Sequence, residues 1–157
     1  MSDRIVNLRD LALESGDWNR EPTNVFTAHA VGDELGSKQT GLCVYEVEPG
    51  KHVWPYHFEI GSEEWLIVVS GELVLRTPDG EQTVRAGDTA CFPSGPTGGH
   101  AVWNDGTETA RFVMFSNHRE WGGGVVYPDS GKFVLSGSGF RHRGYLGEEA
   151  QYWEGEP

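Results

Sequence analysis

Two histidines and two carboxylates near the middle of the chain have the types and spacing of a metal site. His57 and Glu59 lie one residue apart in PYHFEIGSEEWLIVVSG, Glu64 follows in the same stretch, and His100 begins HAVWN after the loop FPSGPTGG. In an extended segment, residues two apart point to the same face, so His57 and Glu59 share a direction. Two imidazoles and two carboxylates that converge in one barrel can bind a divalent cation.

The segment that follows Glu63 divides into two faces by strict alternation. One face holds Glu64, Leu66, Val68 and Ser70, and the other holds Glu63, Trp65, Ile67 and Val69. We predict that the first face is the interior one, where a carboxylate at the head of an apolar row must be paired, protonated or bound to a metal. Glu63 is then expected to be solvated or paired on the exterior. The apolar side chains beside it need cover from another sheet or from a second subunit.

Short apolar runs separated by turn signals must position these residues. The runs are rich in β-branched and aromatic residues, which favours strands, and they cover residues 40–47, 63–77, 81–88, 100–105 and 109–117. Glycine contributes 22 of the 157 residues and is spread among the turns. Short strands at regular spacing predict an all-β sandwich or barrel. Weak helical periodicity marks only two short candidate helices, over residues 7–15 and 147–155.

The charge balance limits the partners of this chain. Twelve Lys and Arg residues stand against 24 Asp and Glu residues, which gives a formal net charge of −12. That field repels a phosphate backbone and an anionic membrane surface, so neither nucleic acid nor membrane is an expected partner. The length fits one domain over residues 1–157, and the absence of a signal-like start or a long apolar run favours a cytoplasmic protein. Cys43 and Cys91 lack metal-site spacing and are expected to be reduced, packed thiols.

Two stretches resemble the sequence motifs of the cupin superfamily, G-x5-H-x-H-x3,4-E-x6-G and G-x5-P-x-G-x2-H-x3-N. They are GKHVWPYHFEIGSEEWLIVVSG, residues 50–71, and GDTACFPSGPTGGHAVWN, residues 87–104. The matching positions are His57, Glu64, Gly71, Gly87, Pro93, Gly95, His100 and Asn104. PYHFEIGSEEWL, LRTPDG, GDTACFPSGP and YPDSGK are more closely similar to a bacterial subgroup of small single-domain cupins.

The chain departs from those motifs at three places. Gly50 is one residue too far from His57, Glu59 replaces the second histidine, and two extra residues separate Gly95 from His100. The resemblance implies a cupin barrel, of the double-stranded β-helix or jelly-roll type, over residues 40–117 with extensions at both ends. It also implies one divalent metal ion, Fe, Mn, Zn, Ni or Cu, bound inside near the open end by the residues matching His57, Glu59, Glu64 and His100.

Three roles for Glu59 remain open at the level of sequence. Glu59 can replace the family's histidine as a ligand, can act as a general base beside the metal, or can mark a site that has lost its metal. The leading functional hypothesis is a metal-dependent enzyme that acts on a small polar molecule, by oxygen activation or by Lewis-acid and proton-transfer chemistry. The alternative is a small-molecule-binding or sensory protein without turnover. A homodimer is expected, because the Trp65, Ile67 and Val69 face needs cover.

Overall fold

Strands make up nearly all of the regular structure. The computed structural model describes residues 5–15, 26–117, 122–147, 149 and 154. Its strands are β1 (Glu14–Ser15), β2 (Phe26–His29), β3 (Thr40–Val47), β4 (Phe58–Ile60), β5 (Glu64–Ser70), β6 (Glu72–Thr77), β7 (Gly80–Arg85), β8 (Thr89–Phe92), β9 (Ala101–Trp103), β10 (Ala110–Asn117), β11 (Gly122–Tyr127), β12 (Lys132–Gly137) and β13 (Phe140–Tyr145). A short helix α1 (Val31–Glu34) precedes β3, and a 3-10 turn (Pro96–Gly98) lies between β8 and β9.

The strands form three antiparallel sheets. The first has the order β1-β2-β3-β10-β5-β8, the second β13-β12-β11-β4 and the third β7-β6-β9. Strand β10 lies between β3 and β5, with Met114 opposite Cys43 on one side and Leu66 on the other. Its pairing with β3 is continuous, whereas its pairing with β5 shifts register between Arg111 and Phe112. The sheets confirm the all-β barrel expected from the sequence.

The main core lies between the inner face of the first sheet and the third sheet. Leu66 and Val68 of β5 are buried, whereas Trp65 and Ile67 are 39% and 44% exposed. The interior face predicted for β5 is therefore confirmed. Its core partners come from both sheets: Val47, Val53, Leu73, Leu75, Val84, Phe92, Val102, Ala110, Phe112 and Met114.

A second, smaller core covers part of the outer face of the first sheet. Val31, Val44 and Val113 form its centre, and side chains from the N-terminal segment pack on them: Val6, Leu8, Leu11 and Leu13. The helix predicted over residues 7–15 is wrong. Residues 8–10 form a turn, in which the Asp10 and Leu11 amides donate to the Asn7 carbonyl, and β1 follows. The apolar residues of the segment contact a flat sheet, so packing decides its conformation.

The strands predicted over residues 40–117 all form, within a few residues of their expected bounds. The sheet built from β4, β11, β12 and β13 was not predicted, and its last three strands lie beyond that region. The helix expected over residues 147–155 lies largely outside the described residues. Within the described ranges, the helices are too short to span a bilayer.

Candidate metal centre

His57 and His100 come from different segments that meet in a two-residue antiparallel bridge. The His57 amide donates to the His100 carbonyl at 3.1 Å, and the His100 amide donates to the His57 carbonyl at 2.8 Å. This pairing places the centroids of the two imidazole rings 4.6 Å apart. Backbone hydrogen bonds, rather than side-chain contacts, therefore fix the separation of the two rings.

Each imidazole uses its Nδ1 atom to hold its orientation. His57 Nδ1–H donates to the Pro55 carbonyl at 2.9 Å, and His100 Nδ1–H donates to the Gly98 carbonyl at 3.0 Å. A carbonyl only accepts, so the proton of each neutral ring lies on Nδ1. The lone pair on each Nε2 is left for another partner, which is the tautomer that metal-binding histidines commonly adopt.

Burial keeps both imidazoles neutral. Desolvation lowers the pKa of His57, and desolvation together with the nearby His57 lowers the pKa of His100 to about 3. His100 is only 1% exposed, and the Phe92 ring stacks on it at a centroid distance of 3.9 Å. At neutral pH the pair therefore presents two unprotonated nitrogens, the state that a metal ion requires.

Glu64 completes a group of three ligand-type side chains. One donor atom each from His57, Glu64 and His100 lies within 4.8 Å of the other two. The Glu64 Oε2 atom is 3.5 Å from His100 Nε2, yet that buried nitrogen has no hydrogen-bond partner among the described residues. A buried polar atom normally has a partner. An imidazole lone pair facing a carboxylate oxygen calls for a cation between them, so the donor set fits a divalent metal.

Glu59 does not join this group in the part of the chain that the structure describes. It lies in β4, directly opposite Val125 of β11, whereas His57 pairs with His100. The Glu59 carboxylate lies close enough to Tyr127 to affect its hydroxyl. Burial of Tyr127 raises the pKa of that hydroxyl most, and the negative charge of Glu59 raises it further.

A cavity of about 190 Å³ opens beside the three ligand-type side chains. Its other walls are Tyr45, Trp54, Met114 and Tyr127. Tyr45 and Trp54 give the cavity aromatic walls, which are usual in small-molecule sites. Met114 and Tyr127 were missed, although Tyr127 begins YPDSGK, one of the segments that carries the family resemblance. The Trp54 Nε1–H donor is buried and has no hydrogen-bond partner in the described ranges, so it is available to an acceptor.

Residues 43–116 match the Cupin_2 model of the cupin domain. This match covers both histidines and Glu64, together with the strands that carry them. The chain carries a cupin domain.

Solved structures share the fold of most of the chain. A proposed sugar phosphate isomerase from Acidithiobacillus ferrooxidans is 23% identical with a TM-score of 0.82, over 94% of this chain and 97% of that one. A cupin-superfamily sugar phosphate isomerase from Silicibacter pomeroyi is 22% identical with a TM-score of 0.78, over 90% and 92% of the two chains. The polyketide cyclase RemF from Streptomyces resistomycificus is 24% identical with a TM-score of 0.57, over 72% and 78%. The comparison with curated proteins found no match.

The loop that follows β8 holds His100 of the cupin domain in place. Gly98 and Gly99 are buried, and a Cβ atom on Gly98 would overlap the Pro93 carbonyl oxygen. A Cβ atom on Gly99 would overlap the Tyr56 hydroxyl. The two glycines therefore allow the loop to pack closely, and the Gly98 carbonyl is the one that accepts from His100.

Glu63 and the other histidines among the described residues do not line the cavity of the cupin domain. Glu63 is exposed and accepts a hydrogen bond from Trp65 Nε1 at 3.0 Å, as its outward direction predicted. His29 pairs with Glu34, His52 stacks on Trp103, and His142 contacts Phe133. His118 lies outside the described residues. Both cysteines are free, but Cys91 is exposed, so the expectation that it is a packed thiol is wrong.

Proposed function

We propose that this cupin domain is a metal-dependent enzyme that binds a small polar molecule in the cavity beside His57, Glu64 and His100. The observation that carries the proposal is the buried His100 Nε2 atom, which has no hydrogen-bond partner in the described part of the chain and lies 3.5 Å from a carboxylate oxygen. Three protein ligands leave coordination positions open, which is the arrangement of catalytic rather than structural metal sites.

Lewis-acid and proton-transfer chemistry is the reaction type that we favour. A divalent cation held by His57, Glu64 and His100 would polarise a substrate carbonyl, which would acidify the neighbouring C–H bond. Two neutral imidazoles and one carboxylate offset only part of its charge, so the centre remains electrophilic. Glu59 is the candidate base for the acidified proton, unless it is itself a fourth ligand. Burial and Glu59 raise the pKa of Tyr127, so its hydroxyl stays protonated and can donate to a developing oxyanion.

The only support that the structural neighbours give for isomerase activity is the description that two of them carry. Two cupins described as sugar phosphate isomerases align with this chain over at least 90% of its length, but at 22–23% identity they share its fold only. An isomerase of this kind moves a proton between carbons beside a carbonyl, which is the chemistry that the cavity can support. The identity of the metal, Fe, Mn, Zn, Ni or Cu, is left to experiment.

Oxygen activation is the second candidate, because of the donor set. Two histidines and one carboxylate with open positions are the ligand pattern of non-haem Fe(II) oxygenases. The pattern also occurs at zinc sites, so the ligands alone do not choose between the two reactions. Bound redox metal and consumption of oxygen would favour this candidate.

Solvent deuterium incorporation tests the proposal and separates it from its rivals. The metal-free protein is loaded with each candidate metal and incubated in D2O with small aldoses and ketoses, and the sugars are followed by proton NMR. We expect loss of the proton signal beside the carbonyl with at least one metal. Glu64→Gln, which removes a ligand charge, should abolish the exchange.

An oxygen electrode run on the same samples supplies the other outcomes. Oxygen uptake that depends on Fe or Cu, without deuterium incorporation, would show that the reaction is oxygen activation and not proton transfer. Stoichiometric metal with neither signal contradicts an enzyme acting on these sugars and favours the binding protein. Wild-type protein that binds none of the metals overturns the site itself.

A further inference from the structure

One face of the sheet formed by β4, β11, β12 and β13 carries a group of basic side chains. Residues that pair directly across antiparallel strands share a face, as do residues two apart along one strand. Val125 pairs with Glu59 and Val134, and Val134 pairs with Arg143; Tyr127 pairs with Lys132. The register therefore places these side chains on one face: Glu59, Val125, Tyr127, Lys132, Val134, Arg141 and Arg143.

This face borders the candidate metal centre. Tyr127 lines the cavity, and its ring centroid is 5.7 Å from that of His57. The Lys132 ammonium lies over the Tyr127 ring, 4.3 Å from the centroid. Arg143 and Arg141 also act on Tyr127. Their positive charges lower the pKa of its hydroxyl, whereas burial and the charge of Glu59 raise it. Lys132 thus lies directly beyond Tyr127, and Arg143 and Arg141 lie one strand farther out, two and four residues along β13 from Tyr145, the residue that pairs with Lys132.

Arg141 and Arg143 have no carboxylate partner among the described residues, a property that they share with Arg9 and Arg85 but not with Arg76 and Arg111. Arg76 forms a two-bond pair with Asp129, and Arg111 pairs with Glu46 at 2.6 Å. Arg141 and Arg143 are exposed, and neither has a hydrogen bond or an ion pair within the described ranges. Uncompensated guanidinium groups beside a cavity are unexpected in a chain with a net charge of −12. Such groups bind carboxylates and phosphates well, because their donors match two oxygens at once.

The size of the cavity shows which part of a ligand these cations would meet. A volume of about 190 Å³, at about 30 Å³ for each water-sized group, holds roughly six non-hydrogen atoms. The reacting end of a small molecule fits beside the histidines, and a further charged group must lie outside, past Tyr127. The exposed strand β13 presents its arginines there.

We infer that Lys132, Arg141 and Arg143 bind an oxyanion group, a carboxylate or a phosphate, of the molecule whose other end lies beside His57 and His100. The inference rests on the proposed function for the location of that other end. Glu59 lies on the same face, at the opposite edge of the sheet from the arginines. The opposite face of this sheet is apolar and exposed at Ile60, Leu135 and Phe140, so the basic character belongs to the face that borders the cavity.

Binding of three matched probes to the full chain tests the inference. Glycerol 3-phosphate, glycerate and glycerol share a three-carbon skeleton and differ in the anionic group, and their affinities are measured by calorimetry with and without bound metal. We expect at least one of the two anions to bind more tightly than glycerol, and the stronger one identifies phosphate or carboxylate as the source. Arg141→Gln combined with Arg143→Gln should weaken that anion by about tenfold, the size expected for two exposed charge contacts.

A second double variant, Arg9→Gln with Arg85→Gln, is the matched control because it removes the same charge at the other end of the barrel. Arg85 lies opposite Glu72 in the pairing of β7 with β6. The Arg9 carbonyl accepts a hydrogen bond from Arg111, which lies opposite Ser70 at one end of β5. Glu64 is at the other end of that strand. This control should keep the wild-type affinity within about twofold, because charges farther than one screening length act weakly.

Three results of the binding experiment would overturn the inference, and a fourth comes from the control variant. They are equal binding of glycerol and both anions, no anion binding at all, or an unchanged anion affinity in the Arg141 and Arg143 variant. An equal loss in the control variant would also contradict it, because general charge would then explain the effect. If the wild-type protein binds the anion through the two arginines but binds no metal, the proposed function is overturned and this inference is not.

Discussion

His100 has the most constrained surroundings of the residues at the candidate site. Its Nδ1 atom donates to the Gly98 carbonyl, its ring stacks on Phe92, and its Nε2 atom is buried toward Glu64. Motif spacing in the sequence predicted His57, Glu64 and His100, because short motifs fix residues that lie close along the chain. Tyr127 could not be found in this way, since only the pairing of β11 with β4 brings it to His57.

Buried neutral histidines should make the stability of the metal-free protein depend on pH. The folded-state pKa of His57 and of His100 lies below the unfolded value of about 6.5, so the unfolded chain binds more protons below that pH. Stability is therefore full above pH 6.5 and is lost as the pH falls toward about 3 for His100. From about pH 7.5 to about pH 5, His100 alone should cost about 2 kcal/mol.

Urea unfolding of the metal-free protein at these two pH values measures that cost. His100→Gln should lose about 2 kcal/mol less than the wild type between them, whatever its absolute stability. His142→Gln, which changes an exposed imidazole, should match the wild type. Equal losses in all three proteins would contradict the neutral, buried state of His100.

Metal analysis of a Glu59 variant distinguishes a ligand role from a base role for this residue. As a ligand, Glu59 would give the site two carboxylates and favour harder ions such as Mn or Fe. As a base, it would leave the metal untouched and act on the substrate proton. Because Glu59 lies outside the group formed by His57, Glu64 and His100, we expect Glu59→Gln to keep the wild-type metal content and to lose turnover. Loss of the metal in this variant would instead support the ligand role predicted from sequence.

The elements that hold the site were predicted unevenly. Alternation of apolar residues identified β3, β5 and β10, which contribute Tyr45, Glu64 and Met114 to the walls of the cavity. The segment over residues 7–15 was wrongly predicted as a helix, because its apolar side chains cover a neighbouring sheet rather than following one helical face. Strands β11 to β13 were missed, since glycines interrupt their alternation and long-range pairing stabilises them.

The loop between β8 and β9 should tolerate no side chain at Gly98. Gly98→Ala would force the new Cβ atom against the Pro93 carbonyl oxygen and displace the carbonyl that orients His100. We expect a loss of about 1–3 kcal/mol of stability and a lower metal affinity. Gly147→Ala, at a glycine with nothing within 4 Å of the added Cβ, is the control and should change neither. Thermal unfolding and metal titration of both variants test this role, and wild-type behaviour of Gly98→Ala would contradict it.

At the scale of the whole molecule, two groups of apolar side chains are exposed on the sheets that the structure describes. Trp65, Ile67 and Phe115 lie on the outer face of the first sheet, next to the part that the N-terminal segment covers. Val69, predicted to share their exposure, is half-buried against that second core. The other surface lies on the sheet formed by β4, β11, β12 and β13 and includes Ile60, Leu135 and Phe140.

We propose that the first of these surfaces is the contact of a homodimer. Ile67→Lys should then convert the dimer to a monomer, because a buried lysine without a partner is costly at an interface. Leu135→Lys is the matched control, since Leu135 and Ile67 are 40% and 44% exposed. Light scattering measures the mass of each variant. A dimer that survives Ile67→Lys places the contact elsewhere, and a monomeric wild type removes the proposal.

The metal content of the purified protein tests the central claim most directly. Protein purified without chelator and loaded with a divalent metal should contain about one ion per chain, as expected for a three-ligand site. His57→Ala and His100→Ala should each lose most of that metal and keep the wild-type circular dichroism, while His52→Ala, whose ring stacks on Trp103, should keep both. Wild-type metal content in both site variants, or no metal in the wild type, would contradict the account.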